Sequence, residues 1–123
     1  MKKITAKEEE IMNFFWDKGA LFVKQIVEFY PEPRPHYNTI STMVRALEEK
    51  GFVTYMPFGN TYQYYPVISK EAYNAKNLQG IVRQYFGNSF RRVVSTLIEE
   101  EDLSLDDLRE LIREIELKRQ IQK

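Results

Sequence analysis

Hydrophobic residues in the first fifty positions recur at helical spacing in three blocks, each closed by a stop signal. In the first block Ile11, Met12, Phe14, Phe15 and Trp16 supply a broad apolar face. The preceding "TAKE" places Thr5 to cap free N–H groups and Glu8 to reach back, a reciprocal capping box, and Gly19 supplies the stop. The second block spaces Val23, Ile26, Val27 and Tyr30 as a short helix ended by Pro31, while Pro33 and Pro35 keep "PEPRPH" out of any helix. The third block is "HYNTISTMVRALEEKG", residues 36 to 51. Rotating each residue by about 100° from the last brings Ile40, Val44 and Leu47 together, with Met43 on their flank. Opposite them lie Asn38, Thr42, Arg45 and Glu49, with Thr39 and Ala46 to one side, and Gly51 ends the helix.

The period then changes. "FVTYMPFGNTYQYYPV" is aromatic and β-branched around "FGNT", where Gly59 and Asn60 are expected to supply the unusual φ of a tight hairpin. Three short helices closed by such a hairpin predict a winged helix-turn-helix, whose third helix is offered to a DNA major groove. Beyond it the helical period returns. Leu78, Ile81, Val82, Tyr85 and Phe86 form one stripe, "GNS" at 87 to 89 breaks it, and Phe90, Val93, Val94, Leu97 and Ile98 form the next. "SLDD" at 104 to 107 then caps a last helix carrying Leu105, Leu108, Leu111, Ile112 and Ile115. Three short amphipathic helices can barely enclose a core of their own, so a second copy is expected to cover them. The residues expected at that dimer contact are Phe90, Val94, Leu97, Ile98, Leu105, Leu108, Ile112 and Ile115. The expected fold is mainly α with a small β-hairpin: a winged-helix DNA-binding domain over residues 1 to 69 and a helical dimerisation region over residues 70 to 123.

Composition narrows the chemistry. With 43% hydrophobic and 29% charged residues the chain is of ordinary globular type, and without cysteine it has no disulfide, thiolate metal site or cysteine nucleophile. No apolar run approaches the roughly 18 residues that span a bilayer, and the N-terminus meets a glutamate run before any long apolar core, so a cytoplasmic protein is expected. Residues 1 to 69 carry eight Lys and Arg against eight Asp and Glu, and the remainder ten against ten. A nucleic-acid binder usually shows a basic footprint, so DNA contact here must rest on local geometry. There is no nucleophile motif, Gly-rich phosphate loop or metal cluster, which argues against an enzyme, a cofactor or a small-molecule substrate. His36 lacks a companion ligand and is expected to cap or pack at the start of the third helix.

The outward face of the third helix has a bland reading as solvated surface. Threonine, a poor helix former that surface positions need not use, argues against it, and Arg suits guanine as Asn suits adenine. Glu49, at the helix end, reads as solvated. Tyr55, Phe58, Tyr62, Tyr64 and Tyr65 have the types that stack single-stranded bases, but alternation in a half-buried hairpin favours packing. A competing class is a winged helix that binds another protein, which zero net charge would suit.

The ordered set "EEEIMNFFWDKG", "YNTISTMVRALEEKGFV", "YQYYPVIS" and "EEEDLSLDDLRELI" resembles the penicillinase-repressor family of BlaI/MecI type over nearly the whole chain. The resemblance implies a homodimeric transcriptional repressor on a palindromic operator of double-stranded DNA. Asn38, Thr39, Thr42, Met43 and Arg45 fall where the family meets bases and phosphates. It also implies a partner: in the two best-known members a membrane sensor peptidase triggers cleavage of the repressor. Three departures stand out. The wing "MPFGNTYQ" has no Lys or Arg, Ala46 follows Arg45 where many relatives have two basic residues, and Thr96 and Leu97 stand where the cleaved repressors carry Asn-Phe. The chain ends "ELKRQIQK", without the Cys-x-Cys of the copper-responsive branch.

Overall fold

The computed structural model describes residues 2–121. Six helices and one hairpin follow in the order α1 (Ala6–Lys18), α2 (Val23–Phe29), α3 (Tyr37–Glu49), β1 (Val53–Phe58), β2 (Thr61–Pro66), α4 (Lys70–Tyr85), α5 (Phe90–Glu99) and α6 (Leu105–Ile121). The chain divides into two compact units, residues 1–76 and 77–123, the division falling inside α4.

The first unit is a winged helix. At its start the capping box closes as the sequence predicts, with the Glu8 N–H donating to Thr5 Oγ1 at 3.1 Å and the Thr5 N–H donating to Glu8 Oε1 at 2.8 Å. Gly19 ends α1 at φ 85°, its N–H donating to the Phe15 carbonyl at 2.7 Å. Ile11, Met12 and Phe15 of α1, Ile26 of α2 and Ile40, Val44 and Leu47 of α3 meet in one core that Phe52 and Val53 close from the hairpin. Each helical residue among them belongs to the apolar stripe of its own helix, so its burial follows directly from the periodicity, whereas Phe52 lies just before β1 and Val53 opens it.

The hairpin pairs Phe58 with Thr61 across a two-residue turn, and Tyr55 with Tyr64 farther in. One expectation needs correcting here: Gly59 takes a positive φ of 63°, but Asn60 is not among the described residues that do. A glycine-first turn requires left-handed backbone only at its first position, and there it matches the twist of the strands. The half-buried alternation expected of the wing is also not found. β1 is buried only at Val53, and of the five aromatic residues only Tyr64 is buried. Leu21 selects it, bonding to Tyr64 through both backbone groups, with N···O distances of 2.8 and 2.9 Å, and drawing the inner end of β2 onto the core. Trp16 holds the chain leaving the wing, its indole N–H donating to the Ile68 carbonyl at 2.9 Å.

The second unit is poorer in core. Gly87 at φ 57° and Asn88 at φ 62° break the chain after α4, and Ser89 caps α5 by accepting from the Arg92 N–H. Ser104 caps α6 by accepting from the Asp107 N–H at 3.0 Å. Val82 is fully buried, whereas Leu78, Ile81, Tyr85, Phe90, Leu97 and Leu105 are exposed, as are Leu111, Ile112 and Ile115 of α6.

Candidate nucleic-acid interface

The third helix is positioned at both ends. At its start His36 is the N-cap, Nδ1 accepting from the Asn38 N–H at 3.1 Å. The turn before it is tied by Arg34, which donates from Nε to the Tyr30 carbonyl at 3.1 Å and pairs with Glu32 at 3.3 Å. At the far end Lys50, the C-cap, crosses to Glu8 at 2.7 Å and so joins the end of α3 to the first turn of α1. Glu8 is only 4% exposed, so this carboxylate needs its partner. Burial alone would raise its pKa, but the hydrogen bonds from Lys50 and the Thr5 N–H outweigh burial and hold the carboxyl below its ordinary value.

Between these anchors Asn38, Thr39, Thr42 and Arg45 are exposed on the face opposite Ile40, Val44 and Leu47. Met43 sits differently. It is half-buried on the flank toward α1, lining shallow recesses with Thr39 and Tyr30 on one side and with Ala46 and Lys50 on the other. Thr42 Oγ1 donates to the Asn38 carbonyl at 2.8 Å, which commits its proton and leaves a methyl group and an acceptor facing outward. Arg45 donates from Nη2 to Ser41 Oγ at 3.2 Å and so leans toward the wing. There the Tyr64 phenol lies among Arg45, Glu48, Tyr55 and Tyr37. Burial raises its pKa above the ordinary value and Arg45 pulls the other way. The face therefore combines one fork-shaped cation, one amide, hydroxyls and methyl groups, a set that can address base edges at close approach.

Two contributions to this surface escape a reading of periodicity. The Glu8–Lys50 pair joins residues 42 apart in sequence, and Tyr37 and Ser41 lie on a flank that becomes part of the surface only because the hairpin folds beside it. The capping-box spelling around Glu8 was visible, but nothing in it announced a second partner.

The remaining predicted residues are on the second unit, where Phe90, Leu97, Leu105, Ile112 and Ile115 are exposed and Val94, Ile98 and Leu108 half-buried. Among the described residues no cluster of three or more His, Cys, Asp or Glu has the arrangement to hold a metal ion, and no helix is long and apolar enough to cross a membrane.

A winged helix with an exposed polar face on its third helix and a helical second unit defines a class of protein, that of the winged-helix regulators. The penicillinase repressor family model matches residues 4–117. The methicillin resistance regulatory protein MecI of Mammaliicoccus sciuri is 28% identical over 110 residues, covering 89% of each chain. The proteins of the same name from Staphylococcus aureus and Staphylococcus epidermidis are 27% identical over the same length. The chain belongs to the penicillinase repressor family.

Proposed function

We propose that this chain is a homodimeric transcriptional repressor that reads a palindromic operator with α3 of each copy, and that its α5 and α6 build the dimer. The observation that carries the reading is the division of α3 into a fully buried stripe and an exposed face of Asn38, Thr39, Thr42 and Arg45. Membership of a repressor family supports it, as do relatives whose names describe regulators of methicillin resistance. The apolar residues exposed on α5 and α6 support the dimer, because several large side chains left in water on so small a unit mark an interface. Under this reading Arg45 makes the strongest single base contact, with Asn38 and the Thr39 and Thr42 side chains supplementing it, and Met43 supports the helix from its flank.

Arg45→Ala is expected to weaken operator binding by about 1 to 3 kcal/mol and relax preference at one base pair. Thr42→Asp, which sets a negative charge against the duplex at mid-helix, is expected to abolish binding. Fluorescence anisotropy on duplexes selected from a random pool measures both. Unchanged affinity in both variants, with the dimer intact, would show that α3 is not the reading element. A parent chain that binds no duplex even at low salt would instead favour a protein-interaction module.

A further inference from the structure

The wing contains no Lys, Arg, Asp or Glu, yet it folds directly beside the face proposed to read DNA. What it offers there is tyrosine. Strand alternation places Tyr55, Tyr62 and Tyr64 on one face of the hairpin and Thr54, Met56 and Phe58 on the other. Tyr64 is anchored in the core, and Tyr55 lies between it and Tyr62, with ring centroids 5.8 Å and 4.6 Å away. Tyr55 and Tyr62 are 41% and 49% exposed, and Tyr37, on the adjoining flank of α3, is 46% exposed. Among the described residues the hydroxyls of Tyr37, Tyr55 and Tyr62 have no hydrogen-bond partner.

We infer that these three hydroxyls form a neutral track that donates to backbone phosphates of duplex DNA beside the base pairs facing α3. The inference rests on the DNA-binding reading above. Three features select this ligand. The rings of Tyr55 and Tyr62 pack against each other with their planes tilted by 57°, so they do not form a parallel platform for stacking unpaired bases. Tyrosine hydroxyls are among the groups that bond phosphate oxygens and set the register of a protein on a duplex. The mutually packed rings of Tyr55 and Tyr62 also hold their hydroxyls in place at little conformational cost, unlike the long lysines of a basic wing. A protein partner would find its apolar surface on the opposite face, at Met56 and Phe58.

The test replaces each hydroxyl while keeping its ring: Tyr37→Phe, Tyr55→Phe, Tyr62→Phe and the triple variant, in the full chain. Anisotropy titrations use a mixed-sequence duplex and a duplex selected for tight binding, each at several salt concentrations. Each substitution is expected to weaken both duplexes alike, by roughly fivefold per hydroxyl, since a neutral contact to phosphate carries no sequence information. The dependence of affinity on salt should keep its slope, because no counterion-releasing charge has been removed. Melting temperature should hold, since the packed rings remain. A triple variant that binds both duplexes within twofold of the parent, while Arg45→Ala still weakens binding, would overturn the tyrosine track and leave the α3 reading standing. Loss confined to the selected duplex would also overturn it, by making the hydroxyls base readers. Failure of the DNA-binding reading itself would show differently, as a parent chain that binds neither duplex.

Discussion

Glu8 performs two tasks with one carboxylate. It completes the capping box of α1 and receives Lys50 at 2.7 Å from the end of α3. Lys50 keeps 25% of its side chain in water while Glu8 keeps 6%, so removing the lysine strands the more buried of the two charges. Lys50→Met is therefore expected to cost about 2 to 3 kcal/mol, less than a fully buried pair would, as measured by urea unfolding at neutral pH. The pH dependence separates this from simple loss of packing. In the parent, Glu8 titrates below its ordinary value of 4.5, so its contribution is complete above that pH and is lost as acid protonates the folded carboxyl. With Lys50 gone, the carboxyl loses the ammonium that held it down while burial still acts to raise it. Its protonation then costs the folded state less than in the parent, so the Lys50→Met penalty should shrink as the pH falls toward 4. A penalty constant between pH 7 and pH 4 would show that the pair does not act through charge.

At the scale of elements, α5 differs in kind from the loop a protease needs. Thr96 and Leu97 lie within it, Thr96 Oγ1 donating to the Arg92 carbonyl at 2.8 Å and the Leu97 carbonyl accepting from the Asp102 and Leu103 N–H groups at 2.9 and 3.1 Å. A peptidase binds its substrate extended, so cutting this bond first requires unwinding the helix and breaking those hydrogen bonds. The residue pair also differs from the Asn-Phe that family resemblance associates with cleavage. Under the proposed repressor function, release from DNA is therefore expected to proceed without scission at this bond, whether or not a membrane sensor peptidase is the partner. N-terminal sequencing of fragments from induced cells checks the assignment, and a fragment beginning at Leu97 would refute it.

For the whole molecule, the second unit is where single-chain packing falls short. Leu108 is half-buried in the single chain, whereas Ile112 is 47% exposed, so Ile112 is the cleaner probe of contact between copies. Ile112→Glu should leave the isolated chain folded but place an unpaired charge in the proposed interface, at a cost of several kcal/mol. Light scattering at low micromolar concentration is expected to show monomer for this variant and dimer for the parent. A variant that stays dimeric would move the interface off this face of α6. Operator affinity should fall with the dimer, because two half-sites are then no longer held together.

Local grammar was legible without the fold. Thr5 with Glu8, Gly19, Pro31, His36 and Gly51 mark helix ends because capping and backbone stereochemistry act within a few residues, and the stripe of Ile40, Val44 and Leu47 states its own buried face. The exposed face of Asn38, Thr39, Thr42 and Arg45 follows by subtraction. Three features required tertiary structure. Lys50 meets Glu8 only when α1 and α3 pack. Tyr64 is buried while Tyr55 and Tyr62 stay exposed because Leu21, 43 positions earlier, pairs with the inner end of β2 and draws only that end onto the core. Tyr37 joins a surface with the wing because α3 and the hairpin fold side by side. Each depends on a contact between distant segments, and periodicity specifies which face of an element is buried but not which neighbour buries it.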